Sequence, residues 1–205
     1  MQILYYILTI VICYLAGCIQ SAYIIGKLQK IDIREHGSKN AGASNAFTVM
    51  GWKKGLLVGL IDILKGAIPV LILRLLFPDD TLIQVLGGVC VVLGHVFPVF
   101  MGFRGGKGTA SLVGMTIGLH PILFVVAGLA MLAGTFLTDY IAIGTVAMLL
   151  MILAWMIVFD FNLLAIILYS CIIMLSLYKH YVNFKRILDG TETKISEAFS
   201  GHDAA

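Results

Sequence analysis

Charged side chains are scarce in this chain, and long stretches have no cation. Only 12% of the 205 residues are Asp, Glu, Lys or Arg, whereas soluble domains carry about 25%. Residues 108–178 contain no Lys or Arg, and residues 68–100 contain only Arg74. Because 60% of the residues are hydrophobic, little polar surface remains for a soluble domain. We predict a single membrane-embedded domain over residues 1–205, whose chemistry uses loops and helix ends at the membrane surface.

Several motifs are also missing, and each absence excludes a class of function. The chain has no HExxH, GxSxG or HxxxxD pattern, and Met101 and Gly108 break a Walker A match around Lys107. The basic residues lie in loops rather than along one stripe, so we expect no nucleic-acid partner. We also expect no metal and no cofactor. The four cysteines lie in apolar segments without CxxC spacing and are predicted to be small buried hydrophobic groups: Cys13, Cys18, Cys90 and Cys171.

Seven apolar segments are candidates for membrane helices: residues 3–25, 55–77, 81–100, 109–119, 122–137, 140–159 and 161–178. A bilayer core needs about 20 residues of helix, so segment 109–119 is either a short crossing or a re-entrant piece. With seven crossings, every Lys and Arg outside the second segment falls on one side, and Asp79, Asp80 and Asp160 fall on the other. Since cytoplasmic loops carry the excess of cations, we predict an all-α polytopic membrane protein. It would have seven transmembrane helices, with the N-terminus outside and the C-terminus cytoplasmic.

The most polar stretch lies in the middle of the chain and reads GFRGGKG, residues 102–108. Glycine lets backbone N–H groups converge, and Arg104 and Lys107 supply positive charge beside them. This combination suits an anion, most often a phosphate. The alternative is a tight turn at the membrane surface whose cations only follow the positive-inside rule.

A second polar stretch, HGSKNAGASN at residues 36–45, precedes the second apolar segment. Its hydroxyl and amide side chains suit turns and helix N-caps, which is the structural alternative, but four of them in eight positions favour a binding role. The tail offers a third group. If the last helix continues into it, His180, Asn183 and Arg186 share one helical face. The alternative there is a basic amphipathic end that lies on anionic headgroups.

Two charged residues inside the second segment, Asp62 and Lys65, are three positions apart on a helix. Charges inside a membrane usually indicate a functional role, and an ion pair between these two is the structural alternative. His95 directly precedes the Gly-rich stretch and is a candidate for supporting it from behind. Otherwise His95, His120 and Trp155 are interpreted as packing or interfacial groups.

Taken together, three of these stretches resemble one family. They are GSKNAGASN at 37–45, GHVFPVF at 94–100 running into RGGKG at 104–108, and His180, Asn183, Arg186, Gly190 and Glu192 of the tail. The chain resembles the integral-membrane acyl-phosphate:glycerol-3-phosphate acyltransferases of bacteria over essentially its whole length. The opening YLAGCIQS at 14–21 is also similar to the family's first helix.

The resemblance implies a multi-pass protein of the bacterial cell membrane with its site on the cytoplasmic face. It implies transfer of a fatty acyl group from acyl phosphate to the sn-1 hydroxyl of glycerol 3-phosphate, giving lysophosphatidate and phosphate. The implied partners are these two substrates, membrane lipids, and functional coupling to an enzyme that makes acyl phosphate. The implied catalytic residues are Ser38, Lys107, His180 and Asn183. The implied substrate-binding residues are Lys39, Asn40, Ser44, Asn45, Arg104, Gly105, Gly106 and Arg186.

The chain departs from the family pattern at three positions. Lys39 stands where the family usually has Gly, Ser44 replaces Thr, and Thr48 stands where many members carry an Arg that contacts phosphate. Lys39 is a candidate to supply the missing charge. The competing hypotheses are a homologue with a different acyl acceptor, a homologue kept as an interaction partner, and a small anion transporter. A transporter would need polar groups along a path through the membrane.

Overall fold

The computed structural model describes residues 1–200, in which every regular element is helical. The ten α-helices of this part are α1 Gln2–Gly17, α2 Ser21–Leu28, α3 Ala43–Met50, α4 Trp52–Leu76, α5 Thr81–Val96, α6 Thr109–Leu119, α7 Pro121–Thr138, α8 Ile141–Val158, α9 Leu163–Leu188 and α10 Ile195–Ser200. Single turns of 3₁₀-helix cover Ile33–Glu35 and Val99–Met101. The all-α prediction is therefore confirmed for the described residues.

Within residues 1–200, six helical stretches are long and apolar enough to cross a membrane, and each overlaps one of the predicted segments. The first consists of α1 and α2, which are separated by a break at residues 18–20 where the Gln20 amide donates to His95 O at 3.1 Å. The last predicted segment ended ten residues too early, because α9 continues to Leu188. The seventh segment is the 11-residue α6, which rises about 16 Å. A count of seven crossings therefore stays a prediction.

Small residues bring the helices that carry the Gly-rich stretch close together. Gly17 of α1 and Gly94 of α5 each lie against the backbone of the other helix. Gly66 of α4 lies against Ser111 of α6, and Gly114 of α6 lies against Ile63 of α4. A Cβ at any of these positions would overlap backbone atoms, so the close approach requires glycine. The helices on both sides of the Gly-rich stretch are thus fixed against α1 and α4.

Hydrogen bonds sort the helix ends into two groups. In one group, Tyr6 Oη donates to Asp80 Oδ2 at 2.8 Å, and Asn162 N–H donates to Thr81 Oγ1 at 3.1 Å. These contacts join the N-terminus to the α4–α5 and α8–α9 turns. In the other group, Ile195 N–H of the tail donates to the Asp139 carbonyl of the α7–α8 turn at 3.0 Å. This arrangement is the one that seven crossings would produce, and the cytoplasmic position of the second group stays a prediction.

The prediction for the cysteines is right for three of the four. Cys13, Cys18 and Cys90 are buried between helices, whereas Cys171 is exposed on α9. The chain surface around Cys171 is apolar, with neighbours such as Met174 also exposed. An apolar helix face of this kind needs no burial within the protein when lipid can cover it.

Candidate active site

The Gly-rich stretch folds back onto the end of α5. Gly105 N–H donates to Val96 O at 3.2 Å, and Gly106 N–H donates to His95 O at 3.1 Å. A Cβ on Gly105 would overlap the His95 carbonyl, and one on Gly106 would overlap the His95 ring. Glycine is needed here for close packing. The expectation that these two N–H groups face a substrate is corrected, because both already have a carbonyl partner.

Lys107 reaches from this stretch to the end of α9. Its Nζ donates to Asn183 Oδ1, and the Asn183 amide donates in turn to Glu192 Oε1 at 2.6 Å. The other carboxylate oxygen of Glu192 accepts from Arg186 Nε at 2.6 Å. Three sequence-predicted residues, Lys107, Asn183 and Arg186, are therefore joined in one chain of polar contacts that Glu192 completes.

The ammonium group of Lys107 loses its proton at a lower pH than that of an ordinary lysine. Burial lowers the pKa of its ammonium group from the usual 10.5 to about 8; the Glu192 carboxylate partly opposes this shift, and Arg186 and Lys179 add to it. Burial disfavours the charged form, and neighbouring cations disfavour it further. A site of this kind, with several cations gathered and few carboxylates, favours the arrival of an anion.

His180 lies one turn of α9 before Asn183 and is buried. Its Nδ1 lies 2.8 Å from Ser176 O. A carbonyl oxygen can only accept, so Nδ1 carries the proton and Nε2 of the neutral ring has a free lone pair. The hypothesis that α9 continues and that His180 and Asn183 share a face is thus confirmed. The same geometry leaves Nε2 able to accept a proton.

Asn45 organises the first polar loop from inside. Its Oδ1 accepts from Ser38 N–H at 2.8 Å, and its amide donates to the carbonyls of Ile33, His36 and Asn40, each at 3.0 Å. The side chain is buried, and its hydrogen-bonding groups are used within the loop. Asn45 therefore holds Ser38 and Asn40 in place rather than presenting a free polar group.

Lys39 and Arg104 line a cavity of about 370 Å³ between the first loop and the Gly-rich stretch, together with Asp32, Arg34, Glu35 and Gly105. Lys39 has φ +60°, which is the left-handed region that favours glycine. This conformation gives a physical reason why glycine suits the position. Arg34 is neutralised by Asp32, since its Nη2 lies 2.9 Å from Asp32 Oδ2, and this contact holds the pKa of the Asp32 carboxyl well below its usual range.

The structure brings the predicted residues together in two groups. One group lies between the Gly-rich stretch and α9 and contains Lys107, His180, Asn183 and Arg186. The other lies on the first loop and around the adjoining cavity and contains Ser38, Lys39, Asn40, Ser44, Arg104 and Gly105. Gly106 links the two, because a Cβ on it would also approach the Ala41 carbonyl of the first loop. Thr48 is exposed, and its hydroxyl donates to Ser44 O at 3.3 Å on its own helix.

Two charged residues of the site were not among the predicted site residues. Glu192 connects Asn183 with Arg186, and Lys179 places its Nζ 5.1 Å from the centre of the Phe97 ring, beside the Gly-rich stretch. Helical spacing contained a signal for Lys179, because positions 179, 183 and 186 follow the i, i+4, i+7 pattern of one helix face. Glu192 lies beyond α9, where periodicity carries no information, and its signal was its place among the tail residues that carry the family resemblance.

Comparisons with known proteins agree over nearly the whole chain. Residues 7–190 match the family model described as glycerol-3-phosphate acyltransferase. Glycerol-3-phosphate acyltransferase 1 of Oceanobacillus iheyensis is 37% identical over 203 residues, which cover 96% of this chain and 98% of the relative. Glycerol-3-phosphate acyltransferase of Thermoanaerobacter pseudethanolicus is 39% identical over 201 residues, which cover 95% and 98%.

Two solved structures have the same fold. The crystal structure of PlsY (YgiH), an integral membrane glycerol 3-phosphate acyltransferase, in its glycerol 3-phosphate form is similar with a TM-score of 0.87 and 32% identity, covering 93% of this chain and 95% of that one. The lysophosphatidic acid form of the same enzyme is similar with a TM-score of 0.84 and 31% identity, covering 94% and 96%.

Proposed function

The chain belongs to the glycerol-3-phosphate acyltransferase family, and on this premise we propose that it transfers a fatty acyl group from acyl phosphate to glycerol 3-phosphate. The acceptor atom is the sn-1 hydroxyl, and the products are lysophosphatidate and inorganic phosphate. The observation that carries the proposal is the contact of Lys107 with Asn183 one helical turn from the buried His180. A cation can bind phosphate, an amide can donate to a developing oxyanion, and an available imidazole nitrogen can accept the hydroxyl proton, so these groups suit a transfer between two phosphate compounds.

The reaction begins with attack of the sn-1 hydroxyl oxygen on the carbonyl carbon of the acyl phosphate. The hydroxyl proton passes either to the lone pair on His180 Nε2 or to a phosphate oxygen of the substrate. The carbon–oxygen bond to phosphate then breaks and the phosphate leaves with the bonding electrons. An acyl phosphate is a mixed anhydride, so its phosphate is already a good leaving group.

Holding two anions side by side is the main task of the site. Lys107 offsets their mutual repulsion, with Lys179 and Arg186 close to it. The Asn183 amide has a second N–H beyond the one that Glu192 accepts, and this N–H is suited to the oxyanion that develops in the transition state. Orientation of the two substrates supplies a large part of the rate. Ser38 is interpreted as a hydrogen-bond donor, because no base contacts its hydroxyl among residues 1–200.

The acyl chain is proposed to lie along the apolar surface beside the Gly-rich stretch. Phe100 is 78% exposed and Phe103 is 56% exposed at this point, next to Arg104. Aromatic and basic side chains of this kind are typical of the membrane interface. We further propose that the chain crosses the membrane seven times and that its site lies on the cytoplasmic face. It would form one domain over residues 1–205, of which residues 201–205 lie outside the described residues. We also propose functional coupling to an enzyme that produces acyl phosphate.

Phosphate release by the purified protein in detergent tests the proposal. The protein is supplied with palmitoyl phosphate, with and without glycerol 3-phosphate, and Lys107→Ala is measured beside it. We expect release that depends on glycerol 3-phosphate and is lost in Lys107→Ala. Lys53→Ala is the matched control, because Lys53 lies at the start of α4, where its Nζ contacts the Trp52 ring.

Two outcomes would contradict the proposal in different ways. Release without dependence on glycerol 3-phosphate, from a folded protein, would show that another acceptor or water is used. The uncharged Thr48 would then mark a real divergence in acceptor binding. Absence of release with palmitoyl phosphate, together with transfer from palmitoyl-coenzyme A, would show that the donor is a thioester.

A further inference from the structure

The tail is attached to the rest of the protein at two places that lie close together in the chain. At the first, the Glu192 carboxylate accepts from Asn183 Nδ2 and from Arg186 Nε, each at 2.6 Å, at the end of α9. At the second, α10 begins at Ile195, whose N–H donates to the carbonyl of Asp139 in the α7–α8 turn at 3.0 Å. Only two residues separate the attachments, and this link spans at most roughly 10 Å. Release of α10 from the turn would therefore free Glu192 to move.

The side chain of Asp139 caps the N-terminus of α10. Its Oδ1 accepts from Ser196 N–H at 2.9 Å, and its Oδ2 accepts from the Ser196 hydroxyl. A carboxylate at this place satisfies donors that have no partner within the helix, and the helix dipole favours its charge. Donation from Ser196 and the positive charge of Lys194 accordingly hold the pKa of the Asp139 carboxyl below its usual range. A helix of six residues is too short to be stable alone in water, so α10 depends on this cap.

The α7–α8 turn by itself does not favour an aspartate at position 139. The residue ends α7 with φ +68°, a left-handed conformation in which glycine is the usual choice. A negative charge at the C-terminus of α7 is also unfavourable to the dipole of that helix. Both costs are local, whereas the carboxylate contacts a residue 57 positions further along the chain. The contact with the tail therefore supplies a physical reason for the carboxylate.

We propose that Asp139 is a positioning residue for acyl transfer, because its cap on α10 holds the tail where Glu192 contacts Asn183 and Arg186. The inference rests on the proposed function for the reaction, since Asn183 accepts from Lys107 in the candidate active site. Asp139 acts on these groups through the tail and has no direct part in the chemistry.

The pKa of Lys107 reports whether Glu192 is in place. Burial lowers this pKa to about 8; the Glu192 carboxylate opposes the shift, and Arg186 and Lys179 add to it. If the cap on α10 is lost and Glu192 moves away, the pKa of Lys107 should fall below 8. A role of Asp139 confined to the stability of its own turn would leave the pKa of Lys107 unchanged.

Asp139→Gly removes the cap without straining the turn, because glycine adopts the left-handed conformation readily. Asp160→Gly is the matched control, since Asp160 has φ +52° in the α8–α9 turn, in the other group of helix ends. Trypsin measures the attachment of the tail, because it cuts between Lys194 and Ile195, and the Ile195 N–H is held by Asp139. The fragment that begins at Ile195 is quantified by mass spectrometry after digestion of the purified full-length protein.

We expect cleavage at this bond to become at least about tenfold faster in Asp139→Gly, because the open fraction of the tail rises when the cap is lost. Asp160→Gly should be cut at the rate of the unsubstituted protein. The pKa of Lys107 is measured in the same variants from the pH dependence of its acetylation by acetic anhydride. It should fall in Asp139→Gly and stay unchanged in Asp160→Gly. Adding Asp139→Gly to Glu192→Gln should lower it no further, because the cap acts through Glu192.

Two results would overturn the inference. Unchanged cleavage in Asp139→Gly would show that Asp139 does not hold the tail, and faster cleavage with an unchanged Lys107 pKa would show that it does not position Glu192. Neither measurement requires turnover, so an absence of acyl transfer would refute the proposed function and leave both results readable. Where transfer is measured, Asp139→Gly should lower kcat/KM at pH 8 as Glu192→Gln does, and an unchanged kcat/KM would refute the positioning role.

Discussion

The depressed pKa of Lys107 predicts that anion binding is lost in mildly alkaline solution. Burial lowers this pKa to about 8, so the ammonium group loses its proton well below the usual range for lysine. A neutral amine cannot offset two phosphates. We therefore expect kcat/KM for glycerol 3-phosphate to fall as the pH rises through about 8. The quantity kcat/KM is the right one, because it reports the free enzyme rather than the complex.

The size of the effect follows from the protonated fraction. With a pKa of about 8, roughly 90% of Lys107 is charged at pH 7 and roughly 10% at pH 9. The expected fall in kcat/KM is therefore about tenfold between these two values. The second ionisation of a phosphate monoester has a pKa of about 6, so the charge of glycerol 3-phosphate changes little over the same range.

Lys107→Arg is the variant that isolates this cause, because a guanidinium group stays charged at pH 9. We expect its kcat/KM, whatever its value at pH 7, to lose the fall between pH 7 and pH 9. The assay is initial phosphate release at low glycerol 3-phosphate, with release in the absence of protein subtracted at each pH. Identical pH profiles for Lys107→Arg and the unsubstituted protein would refute the reasoning.

Thermal unfolding gives an independent check on the direction of the Lys107 pKa shift. The folded-state pKa of Lys107 is lower than its unfolded value of 10.5, so between about pH 8 and pH 10.5 the unfolded chain binds more protons than the folded one. The contribution of Lys107 to the free energy of unfolding therefore rises with pH in this window. Deprotonation of Lys107 should therefore reduce activity above pH 8 without reducing the free energy of unfolding.

Three further substitutions test the surroundings of the site. Glu192→Gln removes a carboxylate that raises the pKa of Lys107, so the midpoint of the kcat/KM profile should move below pH 8, and an unchanged midpoint would refute the coupling. Lys39 has a left-handed backbone conformation, which costs residues other than glycine about 1 kcal/mol. Lys39→Gly should therefore raise the melting temperature, while KM for glycerol 3-phosphate increases because a positive charge is lost. A lower melting temperature would contradict this. Asn45→Ala leaves Ser38 N–H and three carbonyls without their partner, so the first loop should become sensitive to protease and kcat/KM should fall at least tenfold; a loop that stays resistant would contradict the role of Asn45.

Sequence periodicity predicted much of the fold for a physical reason. Apolar runs must be helical in a membrane because each backbone group needs an internal partner, and six of the predicted segments correspond to long apolar helices. The Asp62–Lys65 pair followed from their spacing of three and is present at 2.8 Å. The shared face of His180 and Asn183 followed from the same periodicity, once α9 was taken to continue into the tail.

The details of the loops could not be read in this way, because they depend on contacts between distant segments. Asn45 resembled a ligand-binding amide, and only the folded loop shows that its groups are used internally. Gly105 and Gly106 resembled an anion cradle, whereas their N–H groups bind the end of α5. Cys171 resembled the buried cysteines, since composition does not distinguish a helix face that contacts protein from one that contacts lipid.

The most direct test of the account is the stoichiometry of the products. Purified protein is given palmitoyl phosphate and glycerol 3-phosphate, and phosphate and lysophosphatidate are quantified in the same samples, with the acyl position determined by mass spectrometry. We expect equal amounts of the two products and acylation at the sn-1 hydroxyl. Phosphate release without matching lysophosphatidate would contradict it, because the acyl group would then be passing to water or to another acceptor.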